Sequence, residues 1–207
     1  MRNPFDPGYY GSEELRGFGF AHVGENVTVS KDCRIFGLPN IYFGNDVRID
    51  AGVHIIATRG TLRFGSNIHV GGYCHLVAAA DLTFGDFSGL SQGVRIYTAS
   101  DDYTGRHLTN PTVPEEFTGV KMAPISLGRH VIIGSGSVIL PGCSIGDGSA
   151  IGALSVVTKP VPEWEIHSGQ PARRLCARSR RLLALEAAYV EARHSAQIAA
   201  VASPSMS

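Results

Sequence analysis

The sequence has no excess of either charge: eighteen Lys and Arg stand against eighteen Asp and Glu in 207 residues. A surface built for nucleic acid or an anionic bilayer carries a basic excess, so neither partner is expected. Charge of any sign is scarce, at 17%, where an average domain has about 25%. No apolar run approaches the roughly 18 residues of a membrane span. The opening Met1-Arg2-Asn3-Pro4-Phe5-Asp6-Pro7 lacks the apolar stretch of a signal peptide, which points to the cytoplasm. Cysteine is sparse and scattered: Cys33, Cys74, Cys143 and Cys176 form no CxxC and no close Cys/His spacing. A structural zinc or a disulfide framework is therefore not expected. Glycine is plentiful, with 25 residues, and 43% of the chain is hydrophobic. Together these suggest many turns instead of long solvated helices.

A six-residue period organises the chain. Leu127-Gly128, Ile133-Gly134, Ile139, Ile145-Gly146, Ile151-Gly152 and Val157 follow one another at intervals of six, and the fifth residue of each unit is small or β-branched. Upstream the unit returns in trios with small slips: Val23, Val29 and Ile35; Phe43, Ile49 and Ile55; Phe64, Val70 and Leu76; Phe84, Leu90 and Ile96. A period of this kind marks a solenoid. A short strand and a two-residue turn make one side of a coil, and three sides close a triangular prism. Parallel pairing stacks the coils about 4.8 Å apart. The aliphatic residue of each unit points inward and the small fifth residue fits the corner, so Cys33, Cys74 and Cys143 read as small core residues. About six coils fit between residues 23 and 162.

The period divides the chain into a cap segment over 1–22, a coil domain over 23–170, and a C-terminal helix and tail over 171–207. Ser12 reads as the N-cap of a short helix that covers the first coil. After Pro171 the chain is expected to turn helical, with an apolar stripe through Leu182, Leu185 and Tyr189 that caps the last coil or packs on a neighbour. The tail from Ala202 is expected to lack structure. Between Ile96 and Leu127 far more residues intervene than one coil needs, so 97–124 is an inserted arm. A loop this long, with two prolines, several aromatics and an acidic pair, reads as functional.

Gly134-Ser135-Gly136-Ser137-Val138-Ile139-Leu140-Pro141-Gly142, Ile145-Gly146-Asp147, Ile151-Gly152-Ala153 and the closing Ser168-Gly169-Gln170-Pro171-Ala172-Arg173 resemble the acyl-CoA-dependent sugar O- and N-acetyltransferases of the hexapeptide-repeat family. The resemblance implies a left-handed parallel β-helix, acetyl-CoA as co-substrate with no metal, a sugar acceptor such as a nucleotide sugar or polysaccharide precursor, and a homotrimer with each site between two subunits. It also implies that these coils line the coenzyme A groove. The phosphates of coenzyme A need cations, which Lys159, Arg173, Arg174 and Arg178 supply. Its pantetheine arm needs close backbone approach, which Gly134, Gly152 and Ala153 offer.

Many relatives carry a catalytic His just after the strand equivalent to Ile96-Tyr97-Thr98-Ala99, where this chain has Ser100-Asp101-Asp102. Asp101 stands at about the position of that His. A carboxylate is a weak base for a hydroxyl but suffices to position an amine, which is already nucleophilic. The repeat register places Arg34, His54, His75 and Arg95 in one outward column. His75 is the candidate base, its neutral form favoured by the neighbouring Arg95, with Asp101 or Asp102 to orient the imidazole. Tyr97, Tyr103 and Arg95 are candidates for contacting the sugar. Two other functions fit less of the sequence: a non-catalytic trimeric scaffold that has lost the catalytic His, and a zinc enzyme like the carbonic anhydrases of this fold.

Overall fold

The computed structural model describes residues 5–202. Its strands stack into three parallel sheets, each one side of a prism. Face I carries His22–Val23, Ile41–Phe43, Leu62–Phe64, Leu82–Phe84 and Ile125–Leu127, and bridges from Leu127 to Ile145 and from Ile145 to Val161 extend it. Face II carries Thr28–Ser30, Val47–Ile49, Ile68–Val70, Gly89–Leu90, Ile132–Ile133, Ala150–Ile151 and Glu165–Gly169. Face III carries Arg34–Phe36, His54–Ile56, His75–Val77, Arg95–Tyr97, Val138–Ile139 and Val156–Val157. The aliphatic positions pair with their equivalents, as in Leu76 with Ile55 and Ile96. The architecture is the expected left-handed parallel β-helix with a C-terminal helix.

The three faces differ in what they show to solvent. On faces I and II a three-residue strand buries its outer two residues, as in Val47–Ile49, Leu62–Phe64 and Ile68–Val70. On face III only the middle residue is buried, as in His54–Ile56, His75–Val77 and Arg95–Tyr97. Face III therefore presents two outward columns: Arg34, His54, His75, Arg95, and beside it Phe36, Ile56, Val77, Tyr97.

Inside the prism Phe43, Phe64 and Phe84 stack with centroids 5.1 and 4.8 Å apart. Cys74 and Cys143 are buried and Cys33 is half-buried. Burial pushes the Cys33 and Cys74 thiols up to about 11, as expected of inert core residues.

The edge between faces I and II explains the recurrent Gly. Glu25, Asn45, Ser66 and Arg129 each donate their backbone N–H to a side-chain oxygen in the following coil: Asn45, Ser66, Asp86 and Asp147 in turn. The residue before each donor must leave room for that oxygen. A Cβ at Gly65 would stand 2.5 Å from Asp86 Oδ1, and one at Gly128 2.2 Å from Asp147 Oδ1.

The ends depart from expectation. Ser12 is the first residue of helix α1 (Ser12–Arg16) and Gly11 its cap; the Ser12 hydroxyl instead accepts the Val27 N–H. Buried Leu15 joins the core at the first coil. At the other end the chain does not turn helical after Pro171. Ala172–Ala177 runs back antiparallel to Glu165–Gly169 and extends face II. Helix α2 begins at Leu182 and ends at Ala202. It lies along the edge between faces I and II, where Glu186 pairs with Arg129 and His130, Tyr189 donates to Asn67, and Arg193 pairs with Asp46. Of the expected apolar stripe Leu182 is half-buried, while Leu185 and Tyr189 are exposed. The tail beyond Ala202 lies outside the described residues.

The arm leaves the prism after fully buried Thr98, whose hydroxyl binds the carbonyls of Val77 and Ala80 and the N–H of Ala80. Ala99–Ser100 pairs antiparallel with Lys121–Met122 to close the arm at its root, and the coil resumes at Ile125.

Candidate active site

The candidate residues lie on or around face III, except Arg173 and Arg174, which lie on the end strand of face II. His75, Arg95 and Tyr97 are on the face itself. Gly134, Gly152 and Ala153 form the edge by which the chain enters it from face II, and Lys159 and the arm lie on the edge by which it leaves for face I. A Cβ at Gly142, one coil beyond the arm on this second edge, would stand 3.2 Å from Ala123 Cβ. Lys159 is two coils from the arm's root, about 10 Å at ordinary coil spacing.

Lys159, Arg173 and Arg174 converge on one cavity of about 270 Å³, lined also by Val157, Pro160, Val161, His167 and Ala172. Arg174 is paired with Glu165 at 2.8 Å. Arg173 is exposed, and its one hydrogen bond among the described residues goes to the Ala172 carbonyl. An anionic phosphate fits this donor set. Arg178 does not join it. Its guanidinium donates to the carbonyls of His130, Gly148 and Ser149, which locks the hairpin to the coils, and burial pushes its pKa down.

Gly134 and Gly152 have a packing reason of their own. A Cβ at Gly134 would stand 2.4 Å from Ala153 N, and one at Gly152 2.5 Å from Ser168 Oγ. Their N–H groups donate to Ile151 and His167 carbonyls, so these two glycines offer a close approach but no free donor.

His75 lies in the expected column, its ring 4.7 Å from that of His54 and 5.7 Å from that of Tyr97. Burial, with His54 and Arg95 alongside, pushes its pKa down and favours the neutral imidazole. His54 Nε2 is buried and has no hydrogen-bond partner among the described residues. The expected aspartate partner of His75 is engaged elsewhere. Asp102 accepts from the Thr104 hydroxyl and N–H, the Arg106 N–H and His107 Nδ1. These donors, Thr104 first, hold its carboxyl well below the usual carboxylate range. Asp101, next to the arm's root, is exposed, as is Tyr103. Tyr97 is half-buried.

Three further histidines, His69, His130 and His167, lie outside the column of face III. In the structure each faces a carboxylate at 2.7 Å: Asp50, Glu186 and Glu165. The signal lay in the stacking, since His69 and Asp50 sit on adjacent coils. No group of three or more His, Cys, Asp or Glu side chains among the described residues is placed to hold a metal ion. No helix among the described residues is long and apolar enough to cross a membrane.

Residues 124–159 match the family model described as bacterial transferase hexapeptide (six repeats). The Escherichia coli dTDP-4-amino-4,6-dideoxy-D-glucose acyltransferase is 36% identical over 181 residues, which is 87% of this chain and 94% of that protein. AntD, an N-acyltransferase from Bacillus cereus solved in complex with dTDP and 3-hydroxybutyryl-CoA, superposes with a TM-score of 0.87 at 36% identity, covering 92% of this chain and all of AntD. A serine-to-cysteine form of AntD, solved with dTDP-4-amino-4,6-dideoxyglucose and coenzyme A, gives 0.86 at 35% identity, covering 91% of this chain and 99% of that one. Likeness over nearly the full length, in sequence and in fold, means that this chain belongs to the hexapeptide-repeat family of acyl-CoA-dependent sugar acyltransferases.

Proposed function

We propose that the chain moves an acyl group from acyl-CoA to the 4-amino group of a dTDP-linked 4-amino-4,6-dideoxyhexose, a precursor for surface polysaccharide. The observation that carries the amine over a hydroxyl is Asp101, a carboxylate at the arm's root, where the family resemblance implies a catalytic His in many relatives. It stands on the same edge of the prism as the basic cavity of Lys159, Arg173 and Arg174. The near-full-length likeness to an aminosugar acyltransferase supports the same acceptor.

Coenzyme A, when bound, supplies the acyl group as a thioester. Lys159, Arg173 and Arg174 of the basic cavity would hold its phosphates. Asp101 accepts a hydrogen bond from the acceptor amine and holds it aimed at the thioester carbon. Tyr97, Tyr103 and Arg95 border the sugar. His75 is a wall residue in this reading, because no carboxylate orients it.

The site is shared between subunits of a homotrimer. Among the described residues, the basic cavity of Lys159, Arg173 and Arg174 is not lined by His75, Asp101 or Tyr103, so one chain does not enclose all the candidate residues. The outward column of face III includes Phe36, which is 51% exposed, beside the unpartnered His54 Nε2. A neighbouring copy over this face would complete both. Acyl-CoA and nucleotide sugars are cytoplasmic pools, which is where we place the enzyme.

Thiol release from acetyl-CoA tests the reading, with dTDP-4-amino-4,6-dideoxyglucose and its 4-hydroxyl analogue as acceptors. Turnover is expected with the amine and not with the alcohol, and Asp101→Ala should lower kcat/KM by about 100-fold or more. Turnover of the alcohol alone would overturn the acceptor. Sedimentation at the 22.0 kDa mass of one chain would overturn the shared site.

A further inference from the structure

Four histidines among the described residues pair with a carboxylate, and one of them is built differently. His69, His130 and His167 all bond through Nε2, the outer ring nitrogen. In each, the carboxylate closes off the end of the ring that could reach a ligand. His107 bonds through Nδ1, 2.9 Å from Asp102 Oδ2, which leaves Nε2 free to face outward.

Asp102 is fixed before His107 reaches it. The Thr104 hydroxyl and N–H lie 2.7 and 2.8 Å from Oδ1, and the Arg106 N–H lies 3.1 Å from Oδ2. A carboxylate so surrounded is ionised and only accepts hydrogen bonds. This partner assigns the neutral tautomer of His107: Nδ1 carries the proton and Nε2 presents a lone pair. The ring also has a seat. It lies against Gly119 on the arm's return limb, where a Cβ would stand 2.5 Å from Nδ1 and 2.7 Å from Cγ. Two residues further on, Lys121 pairs with Ser100, the neighbour of Asp101. The His107 side chain remains 50% exposed.

We propose that His107 is the proton acceptor of the reaction, taking at Nε2 the proton that the acceptor nitrogen releases, with Asp102 as the positioning residue that fixes its ring. The proposal rests on the aminosugar reading above. The amine lone pair forms the N–C bond at the thioester carbon, and the carbonyl π pair moves to oxygen. The nitrogen, now bearing an extra proton, gives it to His107 Nε2. The oxygen pair re-forms the carbonyl as the C–S bond breaks, and the departing thiolate takes a proton, from the imidazolium or from water, to leave as coenzyme A thiol. Amide and thiol are the only net products. Asp101 holds the amine and His107 removes its proton, so two groups divide the work of one catalytic His.

The test uses the full chain with acetyl-CoA and dTDP-4-amino-4,6-dideoxyglucose, comparing wild type with His107→Ala and His107→Asn. The Asn amide can still donate to Asp102 but offers no basic nitrogen, so it separates proton transfer from arm structure. Both variants should lose about 100-fold or more in kcat with KM for the acceptor within about threefold of wild type and melting temperature unchanged. Added imidazole should restore part of the His107→Ala rate. Wild-type activity in His107→Asn would overturn the proposal and leave His107 an arm-ordering residue. So would a loss confined to KM, or one that imidazole does not relieve. If wild type itself fails with the aminosugar but acylates the hydroxyl analogue, it is the acceptor reading that falls, and the proposal with it.

Discussion

Helix α2 and the arm both leave the prism, but they are held in opposite ways. The helix commits its polar side chains to the coils: Glu186 reaches Arg129 and His130, Tyr189 reaches Asn67, and Arg193 reaches Asp46. These ties span four successive coils on one edge, so the helix works as a brace. The arm is organised from within. Asp102 gathers four donors, all from residues 104–107 of the arm, and Leu108 N–H bonds the Phe117 carbonyl across it. It keeps its shape without committing side chains to the coils beyond its root, which leaves Asp101, Tyr103 and the outer nitrogen of His107 available to a ligand. The difference is one between bracing a fold and presenting chemistry.

Substitutions at the two anchoring carboxylates should separate these roles. The largest effect belongs to Asp102→Ala: kcat/KM for acyl transfer should drop by about 100-fold or more, while the urea midpoint at fixed protein concentration stays put. A shifted midpoint with intact turnover would make the arm a structural brace like the helix. Glu186→Ala should do the reverse. It unpairs Arg129 and a nearly buried His130, so stability should fall by about 1–2 kcal/mol with kcat unchanged. Unaltered stability would mean the helix is held by its apolar contacts alone.

Acid sharpens the comparison further, with the smallest effect. The Asp102 carboxyl is held below its ordinary range in the folded arm. The local order it gives the arm is therefore complete above the ordinary Asp value of about 4 and is lost only as pH falls through the lower folded value. Amide exchange at Thr104 and Arg106 should thus show no loss of protection between pH 7 and pH 4. Protection that fades as pH passes through 5 would show the carboxylate to be unengaged.

Much of this was legible in the residues, for identifiable reasons. The period of six fixed which residues face inward, and stacking then aligned Arg34, His54, His75 and Arg95, because equivalent positions in a solenoid must lie over one another. The course of α2 was not legible. Leu185 of its apolar stripe is exposed, Tyr189 meets Asn67 and Phe87 on the coils while staying partly exposed, and charged pairs distant in sequence set its path. The strand Ala172–Ala177 was hidden because a hairpin edge with Arg173 and Arg174 carries no alternation of polar and apolar residues. In the arm the pairing of Asp102 with His107 escaped notice, since loops have no period to read. A local signal was present: Asp102 two residues before Thr104 is the spacing of an Asx turn, which claims that carboxylate for the arm and withdraws it from His75.

The backbone-to-side-chain ladder on the edge between faces I and II gives the solenoid a direction. Every donor in it is satisfied by a side chain that comes later in the sequence, never by an earlier one. A chain cut between Arg129 and Asp147 leaves the Arg129 amide without its side-chain acceptor, whereas loss of the first coil takes away Glu25, a donor, and leaves the other donors of this ladder satisfied. A ribosome emitting this chain therefore delivers each of these donors before the side chain that satisfies it.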